Sequence, residues 1–176
     1  MGLSLELIIK NNIHLGGDKK ATHDMIVTTC ERLNKLLCTQ GFKVFQEPNT
    51  EDYTIIDQRD YPEISSIELY DGFWLLCSGW KPFQYLDEVF DVSVRDTLYK
   101  YIRLFDAGEA YVCTQRMTWD ASFWGFDNMT FEKWINGCEK YIGHPVTKFD
   151  PENARLNDNY IGDYNVYLDQ FMDLKN

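Results

Sequence analysis

Ile64 to Trp80 reads ISSIELYDGFWLLCSGW, two apolar runs that meet at Asp71-Gly72. Asp-Gly between apolar runs is the strongest short-range signal for a β-hairpin. With those two residues as the loop, Tyr70 faces Phe73, Leu69 faces Trp74, Glu68 faces Leu75 and Ile67 faces Leu76. Opposed residues share a sheet face. One face then carries Ile67, Leu69, Trp74 and Leu76, all apolar, and the other carries Ser66, Glu68, Tyr70, Phe73, Leu75 and Cys77. The alternative, one long strand bulged at Gly72, would set Asp71 between Leu69 and Phe73 on a face meant for the core. The hairpin is therefore the expected heart of a sheet.

Towards the N-terminus, Leu3, Leu5, Leu7 and Ile9 alternate with Ser4, Glu6, Ile8 and Lys10, the period-2 pattern of a strand with one covered face. After Gly16-Gly17, Asp18 or Thr22 can cap a helix whose apolar positions Ile26, Cys30, Leu33 and Leu37 recur at helical spacing, with Gly41 as its stop. Phe42 to Gln46 reads as a second strand, closing a strand-helix-strand unit for which a parallel pairing is open. Residues 47–63, polar and holding two prolines, read as a loop with Tyr53 to Ile56 as a short edge strand at most.

Beyond the hairpin the period changes. Tyr85 to Ala107 reads as one bent helix or two, the second starting near Ser93 and ending at Gly108. Glu109 to Trp119 alternates as a further strand, Tyr111 and Cys113 on one side and Ala110 and Val112 on the other. Thr130 caps a helix with Phe131, Trp134, Ile135, Cys138, Tyr141 and Ile142 on its apolar face, and Asp163 caps a last one. The expected fold is a single α+β domain over residues 1–176, a mixed or mainly antiparallel sheet with a central hairpin, covered by about four helices.

Composition narrows the function. The chain has 28 acidic and 17 basic side chains, a net charge of -11, and 15% aromatic residues. Residues 1–41 hold five basic and four acidic side chains, so the acidity belongs to the remainder, dispersed among apolar residues as on a folded surface. Such a balance disfavours nucleic acid and anionic membranes and favours a cationic partner. The five cysteines (Cys30, Cys38, Cys77, Cys113, Cys138) are widely spaced without a CxxC pair, and read as small buried side chains in a reducing compartment. The N-terminus has no basic leader and no stretch is long and apolar enough to span a bilayer, so a cytoplasmic location is expected.

Catalytic patterns are missing. His14, His23 and His144 lie in different elements and in no ligand spacing, and neither a nucleophile elbow nor a phosphate-binding glycine loop occurs. Asp158 to Asp169 spans the length of a calcium loop, but Tyr160 and Gly162 stand where oxygen ligands are required. No metal and no cofactor is expected. The most distinctive segment is Asp120 to Met129, where Phe123, Trp124 and Phe126 lie between Asp120 and Asp127, because aromatic anchors ringed by charge are what binding hot spots look like. Asp87, Glu88 and Asp91 extend the acidic surface. The competing reading makes those rings a second small core and those acids a solvated helix face.

The expectation that follows is a non-catalytic protein-binding inhibitor of the immunity-protein type, bacterial in profile, occluding a basic toxin or enzyme through Asp120, Phe123, Trp124, Phe126, Asp127, Asp87, Glu88 and Asp91. Charge would speed association and aromatic anchors would slow release. A homodimer is left open. The first alternative is a nucleic-acid mimic, which requires carboxylates aligned on one face, and here they are scattered. The second is a small enzyme using paired carboxylates.

Overall fold

The structure is a computed structural model that describes residues 5–78, 97, 100–114, 130–142 and 145. Along the chain run β1 (Leu5–Lys10), α1 (Lys19–Leu36), β2 (Phe42–Gln46), β3 (Tyr53–Asp57), β4 (Ile64–Tyr70), β5 (Phe73–Ser78), β6 (Ala110–Thr114) and α2 (Phe131–Ile142). Residues 100–104 are also helical. The strands form one six-stranded sheet in the order β2-β3-β4-β5-β1-β6, and every neighbouring pair is antiparallel. This is the α+β architecture expected. Of the helices, α1, α2 and residues 100–104 are described, and the helix expected from Asp163 lies outside the described residues.

The β4–β5 hairpin has the register its sequence implies, with Tyr70 opposite Phe73, Leu69 opposite Trp74, Glu68 opposite Leu75 and Ile67 opposite Leu76. Gly72 supplies the left-handed residue of the turn at φ 87°. At the far end of β4 the register slips, Ile64 pairing with Ser78 but Ser66 with Cys77, so Ser65 is an extra residue in a β-bulge. The bulge resets the alternation. Ile64 and Ile67, which simple period-2 counting would put on opposite faces, both enter one core.

That core joins α1 (Ile26, Cys30, Leu33) and the helical Tyr101 and Ile102 to Leu7, Ile9, Phe42, Ile55, Ile67, Trp74 and Leu76 of the sheet. On the opposite face Ile8, Phe73 and Leu75 pack against Phe131 and Trp134 of α2. Both faces of the central strands are therefore covered, which corrects the expectation of one covered face for β1: Ile8 and Glu6 are as buried as Leu7 and Ile9.

Further expectations change. β3 lies between β2 and β4 and not at an edge, because Ile55 and Ile56 pair with Val44 and Lys43 on one side and with Ile67 and Ser66 on the other. The β1-α1-β2 unit makes no parallel pair, since three strands separate its two strands. Gly41 does not stop α1. The helix closes in a Schellman motif in which the Cys38 N–H donates to Lys35 O at 3.3 Å and the Thr39 N–H to Asn34 O at 2.9 Å, with Cys38 in the left-handed region at φ 50°. The same motif, centred on Asp106 at φ 50° and not on Gly108, ends the helix at 100–104. Cys38 is exposed, unlike the buried thiol expected of it.

Candidate functional site

Asp87, Glu88, Asp91, Asp120, Phe123, Trp124, Phe126 and Asp127 all lie outside the described residues. Two other polar constellations stand within them.

The first is the β3–β4 loop. β3 ends on Asp57, whose side chain is fully buried, and Arg59 returns to it as a fork: Nε donates to Oδ1 at 2.9 Å and Nη2 to Oδ2 at 2.5 Å, while the Arg59 backbone N–H donates to Oδ1 at 3.1 Å. A buried carboxylate needs such a bidentate cationic partner to offset the loss of water, and the hydrogen bonds that Arg59 donates to Asp57 in turn hold its guanidinium more firmly protonated. The guanidinium lies 5.2 Å over the Phe42 ring. Gly41 makes this approach possible, because a Cβ there would stand 2.5 Å from Arg59 Cγ and 2.9 Å from Asp57 Oδ1. The Gln58 N–H donates to Gly41 O at 2.9 Å, and Glu63 at the far end of the loop is ion-paired with Lys100. The loop is thus fastened at both ends.

Between those fastenings sit Asp60, Tyr61 and Pro62. Tyr61 is 64% exposed and adopts φ 53°. A bulky residue in the left-handed region is strained, and the following proline disfavours helical conformations there as well. Strain of this kind, of order 1–3 kcal/mol, persists where the surroundings over-determine it and clusters at binding sites. Nothing in the sequence flags Tyr61 by periodicity. The signal available is Asp-Tyr-Pro-Glu itself, an aromatic residue between acids in a loop.

The second constellation lies on the α2-covered face. The Tyr70 hydroxyl donates to Glu68 Oε2 at 2.5 Å, and the Cys77 thiol lies 3.7 Å from Oε1 of the buried Glu6. Burial pushes the Glu68 carboxyl up, and Tyr70's hydrogen bond pulls the other way. Burial and the neighbouring Glu6 push the Cys77 thiol up, which disfavours its thiolate form. Among the described residues no group of three potential ligands could hold a metal ion, and no helix is long and apolar enough to cross a membrane.

Glu68 has a measurable consequence. A carboxyl raised above its unfolded value makes the folded state hold the proton more tightly, so its ionisation opposes folding as pH rises through that range. Glu68→Gln keeps an oxygen for Tyr70 and removes the charge. Its expected effect is a gain of order 1 kcal/mol, the usual size of a single-residue change, present at pH 8 and shrinking as pH falls through the carboxyl range. Paired urea titrations at pH 8 and in acid check this, and a gain independent of pH would refute it.

No protein-family model, curated protein or solved structure matches this chain.

Proposed function

We propose that the chain is a non-catalytic inhibitor that binds a basic protein and occludes its surface, as immunity-type proteins do. The observation that carries this reading is the exposed, strained Tyr61 held between Asp60 and Glu63 on a loop anchored by the fork between Arg59 and the buried Asp57. A preorganised aromatic loses little conformational freedom on binding, and aromatic anchors beside charge are the usual carriers of interface energy. Residues 47–63 hold six acids and one base, in keeping with a cationic partner. The aromatic and acidic stretch from Asp120 to Asp127, with Asp87, Glu88 and Asp91, is assigned to the same binding role.

The test uses the chain as bait in lysate of its native host at low and high salt, the bound protein being identified by mass. Binding of a basic protein should weaken with salt, and Tyr61→Ala should reduce its affinity by about 30-fold, roughly 2 kcal/mol, with an unchanged melting temperature. An equal affinity for Tyr61→Ala removes the loop from the interface.

A further inference from the structure

β2 is an edge of the described sheet, and its exposed face carries Lys43, Phe45 and, one step beyond the strand, Glu47. Phe45 is 42% exposed. The ladder to β3 continues through Glu47, whose N–H donates to Asp52 O at 2.9 Å, and back through Gly41, whose carbonyl accepts from Gln58. In an antiparallel ladder the N–H and C=O of one residue point to the same side and successive residues alternate. Residues 41, 43, 45 and 47 therefore turn their backbone groups towards β3, and Phe42, Val44 and Gln46 turn theirs outward.

The outward groups of Phe42 are already engaged. Asn34 of α1 accepts its N–H at 3.0 Å through Oδ1 and donates to its carbonyl at 2.9 Å through Nδ2. That leaves the outward N–H and C=O of Val44 and Gln46 without a partner among the described residues. An edge with free backbone groups and an exposed aromatic is a template for another strand.

We propose that this edge joins a second copy of the same chain, β2 against β2 antiparallel, with the two-fold axis at Phe45. In that register Val44 stands opposite Gln46 of the partner copy, and their four outward backbone pairs form the new ladder. Phe45 then meets its own symmetry mate in the close, non-hydrogen-bonded position, and each Lys43 faces Glu47 of the other copy, so the exposed face is self-complementary in charge. A two-fold axis at Val44 would set Gln46 against Phe42, whose groups Asn34 already occupies. An axis at Gln46 would set Val44 against Pro48, which has no N–H to donate, so Asn34 and Pro48 together select the register.

Charge reversal tests this on the full chain by sedimentation from micromolar to near-millimolar concentration. The wild type should pass reversibly from one to two chains. Lys43→Glu and Glu47→Lys, each placing like charges together twice per dimer, should each weaken association about tenfold or more. The double variant, and an equimolar mixture of the two single variants, should restore it. Because both side chains are exposed, circular dichroism should show the fold intact in every variant. A chain that stays monomeric throughout, as it would if the edge takes a foreign strand instead, overturns the proposal. So does a dimer indifferent to the single changes or not restored by the double one.

Discussion

Arg59→Met will destabilise the fold by about 3 kcal/mol, the lower part of the range for breaking a buried ion pair. The fork is asymmetric: the Asp57 side chain has no exposed surface whereas that of Arg59 is 40% exposed. Removing the arginine strands a carboxylate that cannot reach water, and methionine retains much of the aliphatic stem that packs near Gly41 and Phe42. Arg59→Met with Asp57→Asn should recover a large part of the loss, because the asparagine carries no charge to desolvate. Urea unfolding of the wild type, the single variant and the double variant measures both terms. A loss below about 1 kcal/mol for the single variant would mean that the fork behaves as a surface pair. The same substitution frees the base of the β3–β4 loop, so it should also weaken partner binding without touching Tyr61.

The central hairpin was legible because turn chemistry and alternation agree there, residue by residue, from Ile67 to Leu76. β3 was not. YTIID is short and set in a polar, proline-bearing stretch, and what makes it an interior strand is the presence of β2 and β4 on its two sides, a tertiary fact that its own composition does not carry. The helix stops are hidden from the sequence for a related reason. Glycine is the usual left-handed residue, but in both Schellman motifs the backbone hydrogen bonds hold a non-glycine there, Cys38 and Asp106, and Gly41 serves the approach of Arg59 instead. The bulge at Ser65 is invisible to period counting for the same cause, since only the pairing with Cys77 and Ser78 reveals it. Of the proposed binding surface, the principle of aromatic residues among acids is readable in the sequence, but Tyr61 is conspicuous only through its exposure and its φ. The stretch that this principle singles out in the sequence, Asp120 to Asp127, lies outside the described residues.

Trp134→Ala will cost about 3 kcal/mol, because the ring is 1% exposed and closes the second core of the sheet. Its centroid lies 6.1 Å from that of Phe73 and 6.4 Å from that of Phe131, while Phe131 in turn meets Phe73 edge-on at 6.3 Å. One favourable term opposes the loss of packing: the Trp134 indole N–H is buried without a hydrogen-bond partner among the described residues, and removing an orphaned donor returns roughly 1–3 kcal/mol. The two terms separate in Trp134→Phe, which deletes the orphan and keeps most of the aromatic contact, so it should cost about 1 kcal/mol or less. The ordering matters as much as the size. α2 is fastened to the sheet by Phe131 and Trp134, by the bridge between Asp71 and Thr130 at the hairpin tip, and by Lys10 lying 4.6 Å over the Phe131 ring. If docking depends on the rings, the alanine variant should lose helical circular dichroism before the global transition in urea, whereas the phenylalanine variant should unfold in one step. Equal stabilities for the two variants would place the weight of α2 on the hairpin bridge and not on its aromatic face.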